Sequence, residues 1–270
     1  MIGKYEDAAH LPRAEAAFQR ALALDPDNGA AHHYYAQFEI DSGRVTEALQ
    51  RLLELVEQRR AEPQVYAALV HACRYAGLVD ESVASHRQAR RLDPAVSTSV
   101  LHTYYMRGDY ALAFEEGHQS SDPFEARVLG AMGRTAEAIS AARREENRFA
   151  AYPLQRSFAR GLRAALEGLP DEAVAALRPF DGPLFNDGEG LFYVAEIYST
   201  LGLLDRGHMM LERAIDSGFL CLARFETDPY LAPLRGTDRY NELLGRVRSK
   251  RDPAVSGFLL GGGRALLGLR

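Results

Sequence analysis

A chain of 270 residues, 47% hydrophobic and 26% charged, has the composition of a folded globular protein and excludes a disordered one. Its formal net charge of −5 argues against nucleic acid as a partner, because phosphate binding relies on a basic surface. Two cysteines, Cys73 and Cys221, are too few for a disulfide framework, and no apolar run reaches the roughly 20 residues that span a bilayer.

The opening MIGKYEDAAH has no apolar stretch to act as a secretory signal, so a reducing cytoplasm is the expected location. Ala14, Phe18, Ala21 and the terminating Pro26 then read as the second helix of a pair whose first helix is barely formed. Residues 29–62 form a full pair, with Tyr35 and Ala36 in the first helix and Ala48, Leu52 and Leu55 in the second. In 63–96 Tyr66, Leu69, Val70 and Cys73 fall at i, i+3, i+4 and i+7, one stripe of a helix. Gly77 breaks that pattern. Asp80 and Glu81 suit the positive end of a second helix, which stops at Asp93-Pro94 because proline disfavours helical geometry in the residue before it.

The same punctuation recurs along the chain. A turn glycine with a small residue five positions later appears at Gly43/Ala48, Gly77/Ser82, Gly108/Ala113, Gly133/Ala138, Gly168/Ala173 and Gly202/Gly207, at steps of 34, 31, 25, 35 and 34 residues. A small residue at the second site fits the point where two paired helices come closest. The step of 25 marks an irregular short repeat near 122–146, where FEARVLGAM after Asp122-Pro123 leaves under three turns of helix. The rhythm recovers through 154–180. After the loop 181–190 a last pair carries Leu191, Val194, Ala195 and Tyr198, then Leu211 and Ala214.

These residues resemble the tetratricopeptide repeat: large and small apolar residues in the first helix, alanine and an aromatic in the second, and a closing proline. The resemblance covers most of 10–217 and is most specific at 29–96 and 188–217. It departs from the family in having no tryptophan, in keeping the first-helix glycine only at Gly161, and in the 25-residue step. Downstream, Thr237 reads as an N-cap followed by Asp238, and Tyr240, Leu243, Leu244 and Val247 share one apolar face. With Asp228-Pro229 and Pro233-Leu234-Arg235, this segment is similar to the closing element of bacterial tetratricopeptide arrays. A solenoid needs such a cap, since its last repeat otherwise leaves an apolar face in water.

The expected fold is therefore all-α: a right-handed α-α superhelix of about seven helix pairs over 1–217, a capping segment over 218–250, and an apolar, glycine-rich tail over 251–270. The tail either folds back, engages another chain, or has no fixed structure.

Catalytic and metal motifs are missing. There is no G-x-S-x-G, H-E-x-x-H or Walker loop, and Gly261-Gly262-Gly263-Arg264 lacks the Lys-Ser/Thr of a phosphate site. His32-His33 and His71-Ala72-Cys73 do not converge, because adjacent and i, i+2 residues of a helix face different ways. Asp187 and Glu189 fit turn chemistry better than a calcium loop. The expectation is no enzyme, no cofactor and no metal.

The resemblance implies that residues six and ten before each turn glycine line a concave groove. Gln37, His71, His102, Leu162 and Glu196 stand six before a turn glycine, and His33 stands ten before one. His33, Gln37, His71 and His102, with Arg74, Tyr75 and Tyr105 three or four residues beyond the histidines, form a candidate wall for a peptide or helix of a partner protein. The alternative is a solvated inner face with no dedicated ligand. The lysines and asparagines by which the family's chaperone-tail binders grip a carboxylate are absent from these positions. Arg156, Arg160 and Arg163, at i, i+4 and i+7 with Arg143, Arg144 and Arg148 upstream, make a second candidate. They form either a patch for an acidic peptide or a solvated face paired with Glu145, Glu146 and Glu167. The resemblance implies a protein-interaction scaffold. Alternatively, the mid-repeat start and terminal cap are similar to the C-terminal sensor or regulatory part of a larger bacterial signalling protein, such as a Ser/Thr kinase or transcription regulator.

Overall fold

The computed structural model describes residues 10–119, 124–183 and 185–270. Among the described residues there are sixteen α-helices, a single 3₁₀ turn and no β-strand. After α1 (His10–Leu24) the helices run as six pairs: α2 (Gly29–Asp41) with α3 (Val45–Gln58), α4 (Pro63–Tyr75) with α5 (Val79–Leu92), and α6 (Val100–Arg107) with α7 (Tyr110–Gln119). Then come α8 (Glu125–Ala131) with α9 (Thr135–Arg148), α10 (Pro153–Leu166) with α11 (Pro170–Asp181), and α12 (Gly188–Thr200) with α13 (Leu204–Asp216). A first helix for α1 would fall on residues 1–9, outside the described residues. The chain ends with α14 (Leu222–Thr227), the 3₁₀ turn Pro229–Leu231, α15 (Asp238–Leu260) and α16 (Gly263–Leu266). It is an all-α solenoid of consecutive helix pairs, as the repeat spacing predicts.

The six turn glycines all take left-handed φ, between +71° and +85°. At Gly108 the conformation lets the Gly108 N–H donate to Tyr105 O at 3.0 Å and the Asp109 N–H to Tyr104 O at 2.9 Å, closing the last turn of α6. Five residues on, Ala48, Ser82, Ala113, Ala138 and Ala173 are each 0% exposed. Ser82 sits so close to its partner helix that its hydroxyl donates to Val70 O at 2.6 Å. Helix starts follow local chemistry as well. Asn28 and Thr237 cap α2 and α15 through their side chains, and Pro63, Pro153 and Pro170 occupy first-turn positions where no N–H is needed.

The short repeat is present: α8 has 7 residues against 14 in α9. Its turn at Asp122-Pro123 lies outside the described residues.

The array does not stay open at its end. The Leu220 N–H donates to Tyr75 O at 2.8 Å, and Arg251 Nε donates to Ala76 O at 3.0 Å, so the segment after α13 returns to the turn between α4 and α5. α15 packs on α13, α14 and α3 together. The expected division at 250/251 falls inside α15, which continues through Pro253 to Leu260. Ala254 and Phe258, one helical turn apart, are buried at 1% each, and an apolar face at i, i+4 is what carries the helix on. The tail therefore folds back on the array and joins the cap in a single helix. No helix among the described residues is long and apolar enough to cross a membrane. Cys73 and Cys221 are free and buried, and burial pushes the Cys221 thiol up to about 11.

Candidate functional site

The inner wall is built by α4, α6 and α8, and one helix lies against all three. α12 is buried continuously from Leu191 to Ser199, with only Glu196 and Ser199 breaking an otherwise apolar and aromatic sequence. A helix apolar all round must be surrounded by protein, and here the wall surrounds it. Glu189, Tyr193 and Glu196 fall at i, i+4 and i+7, so a single stripe of α12 carries two carboxylates and a phenol toward the wall.

Each carboxylate meets an arginine from a distant repeat. Arg74 grips Glu189 with two parallel bonds, Nε to Oε1 at 2.9 Å and Nη2 to Oε2 at 3.0 Å. Its remaining donors reach Ser99 O and Ser99 Oγ, both at 3.0 Å. The Tyr193 hydroxyl donates to Glu189 Oε1 at 3.0 Å and lies 3.1 Å from His102 Nδ1. Burial would raise the Glu189 carboxyl, yet Arg74 and His102 outweigh it and hold it below the usual carboxylate range. At the start of α12, Asp187 Oδ1 caps the helix by accepting from the Glu189 and Gly190 N–H groups. The same oxygen accepts from the Tyr75 hydroxyl at 2.9 Å. Burial, with Asp41 next and Glu189 after it, pushes the Asp187 carboxyl up.

The second hub surrounds Glu196. Arg127 of α8 pairs with it, the Tyr105 hydroxyl donates to it at 3.3 Å, and Arg224 of α14 lies 3.6 Å away. Arg224 also holds Asp228 at 2.6 Å. The guanidiniums rest on rings, Arg127 4.5 Å from the Tyr193 centroid and Arg224 4.7 Å from that of Tyr105. Burial, reinforced by the Asp228 carboxylate, pushes the Glu196 carboxyl well above its ordinary range against the pull of Arg127.

This arrangement corrects the expectation of an open inner wall at 71–105. Arg74, Tyr75 and Tyr105 are buried at 1%, 0% and 0%, with their polar ends committed to α12. His102 is packed between Phe124, 4.5 Å away, and Tyr193, 6.1 Å away. His71 stacks on Tyr75 at 4.6 Å and lies 3.7 Å from Asp41. At the start of the wall His33, hydrogen-bonded through Nδ1 to Gln64 O at 3.2 Å, and Gln37 are partly exposed beside Tyr34, which is 50% exposed. His71 and His102 are partly exposed too, but their rings are stacked within the wall. Glu189, Tyr193 and Arg127 were missed, as was the structural role of Glu196. The signal for them was the lack of any polar face on 191–199.

The arginine stripe divides. Arg163 is bonded to Glu146, Glu167 and Glu172, Arg160 pairs with Glu172 at 3.2 Å, and Arg143 with Glu167 at 2.6 Å. Glu172 replaces Glu145 in the expected pairing, because Glu145 is buried and accepts from the Ala126 N–H at 3.2 Å. Arg156 has no ion-pair partner among the described residues.

A family model described as tetratricopeptide repeat matches residues 3–71, from before α1 into α4. A search of curated proteins finds no match to the chain. The pairs beyond the matched stretch keep the left-handed turn glycine and the buried small residue five positions later, so the match at 3–71 and the helix pairs that follow it together support a tetratricopeptide-repeat array.

Proposed function

We propose that the chain is a non-catalytic scaffold that binds another protein through the surface left open by its self-filled groove. Tetratricopeptide repeats generally mediate protein–protein interaction, and what supports a non-catalytic reading here is the fate of the buried ionisable groups. Arg74 with Glu189 and Arg127 with Glu196 are consumed as pairs that lock α12 into the wall, and Arg224 is consumed by Asp228 beside Glu196. A catalytic acid, base or nucleophile needs access to a substrate, and each of these six side chains is buried, none more than 6% exposed. Of the wall residues, His33 and Gln37 keep a surface for a peptide or helix of the partner, with Tyr34 beside them as an aromatic anchor. His71, Arg74, Tyr75, His102 and Tyr105 act by holding that surface rigid.

The experiment is a photo-crosslinking residue at Tyr34, with the same residue at Leu169 as a control position. The expected result is a protein captured at 34 and not at 169, whose purified form binds the chain at least fivefold more weakly after His33→Ala with Gln37→Ala. Equal capture at both positions, or affinity unchanged by the double substitution, rejects the reading.

A further inference from the structure

From 143 to 163 the chain places six arginines against two glutamates, an excess that the fold neutralises unevenly. Arg143 and Arg144 reach across to Glu167 and Glu125, and Arg160 and Arg163 are bound up with Glu146, Glu167 and Glu172. Arg148 and Arg156 remain, both exposed and without an ion pair among the described residues. They flank the turn between α9 and α10. There the Tyr152 N–H donates to Phe149 O at 2.8 Å, and the Arg156 N–H donates to Tyr152 O at 3.0 Å.

That turn also holds aromatic surface. Tyr152 is 58% exposed, its ring packs edge-on to Phe149 at 6.2 Å, and the Arg148 guanidinium lies over Phe149 at 5.4 Å. An exposed tyrosine braced by a second ring, in a turn flanked along the chain by two arginines without ion pairs among the described residues, combines the side chains that most often anchor interfaces. We infer that the α9–α10 corner, Arg148, Phe149, Tyr152 and Arg156, is a docking surface for an acidic peptide segment that also carries an aromatic side chain. Carboxylates meet the two guanidiniums in fork geometry, and the aromatic residue stacks on Tyr152. The candidate patch of Arg156, Arg160 and Arg163 thus keeps its first member and moves toward the turn, since the other two are already occupied by glutamates. The surface lies on a different repeat from Tyr34 and rests on the scaffold reading only in being a protein-binding site.

The test uses the full chain and three synthetic probes: a fluorescein-labelled peptide of Glu-Glu-Phe repeats, the same peptide with glutamine for glutamate, and phosphatidylglycerol vesicles. The acidic peptide should bind by fluorescence anisotropy, the glutamine peptide at least tenfold more weakly. Arg148→Glu with Arg156→Glu should weaken acidic-peptide binding at least tenfold, and Tyr152→Ala about fivefold. Arg160→Gln, which removes an arginine already paired, should stay within twofold. Equal binding of the two peptides, indifference to the double charge reversal, or binding of vesicles but not of the acidic peptide overturns the inference. Because the Tyr34 crosslink reads a separate surface, its outcome stands apart from this one.

Discussion

Gly43 and Gly218 stand back to back: a Cβ on Gly218 would lie 2.8 Å from the Gly43 Cα. One closes the turn between α2 and α3, the other follows α13, and their φ values are +80° and +85°. The first complete pair and the last are thereby joined through two residues without side chains, which turns a linear array into a closed one.

This contact yields a graded prediction. Gly218→Ala meets both a left-handed backbone, at roughly 1–2 kcal/mol, and a clash with backbone, at roughly 1–3 kcal/mol. Gly108→Ala carries only the first penalty, because nothing lies within 4 Å of its Cβ position at φ +85°. Urea unfolding should show Gly218→Ala as the more destabilised by at least about 1 kcal/mol. Equal midpoints would mean the two turns are not pressed together.

The Arg74–Glu189 pair should behave as a buried pair does. Glu189→Leu or Arg74→Met leaves one charge in the core, and the expected loss is about 3–5 kcal/mol for each alone. Replacing both together, Arg74→Met with Glu189→Leu, should recover much of that loss, since a well-packed apolar pair is often as stable as the ion pair. A double-mutant cycle with near-zero coupling energy would place the two side chains apart in solution.

The repeat frame was legible because it is written locally. A glycine that must adopt positive φ and a small residue five positions on lie within a single turn of chain, and all six turns at those glycines close as the spacing implied. α12 was legible as a helix but not as the filling of the groove. Its partners come from far away, Arg74 being 115 residues from Glu189, and no local pattern says which arginine will neutralise a glutamate. The repeat frame itself misled, since it assigns position 196 to an open wall in every copy. The fate of the tail stays open in the sequence for a similar reason. Gly261 is where the end of α15 comes close to α3, its Cβ position only 3.1 Å from Leu53 Cδ1, and closeness to a distant helix leaves no mark on the tail's own pattern.

The two acidic hubs should titrate in opposite senses. Glu189 is held below its ordinary value of 4.5, so its contribution is present above that value and lost as pH falls through the lower folded one. Glu196 is held well above 4.5, so the folded state retains its proton longer than the unfolded chain. Its favourable contribution is complete below 4.5 and is lost as pH rises from there through the folded value. Glu196→Gln mimics the protonated form, so its stability relative to the parent should improve as pH rises from 4 to 8. Glu189→Gln should show the reverse, falling further behind the parent as pH rises toward 4.5 from below and keeping a constant deficit above it, so its profile is followed below pH 4 as well. Denaturant midpoints at several pH values check both, and parallel profiles for the two variants would reject the assignment.

The closing helix gives the last prediction, with two truncations that separate cap from tail. Ending the chain after Lys250 removes Ala254 and Phe258 from α3, the Arg251 bond to Ala76 O, and the Arg264 pair with Glu81. Phe258 alone, fully buried, contributes about 1.5–3 kcal/mol. The shortened chain should still fold, because Tyr240, Leu243 and Val247 keep their places. Its melting temperature should fall, and amide exchange should quicken in α3, whose outer side the tail covers. Ending the chain after Ser217 removes Phe219, Phe225, Tyr240, Leu243 and Val247 as well, all buried at 2% or less. It strips Arg224 and Asp228 from the hub at Glu196 too. That chain should aggregate or lose cooperative unfolding. If the Lys250 truncation instead leaves exchange in α3 unchanged, residues 251–270 do not pack there in solution and the array closes without them, through Gly43 with Gly218 and the Leu220 bond to Tyr75 O.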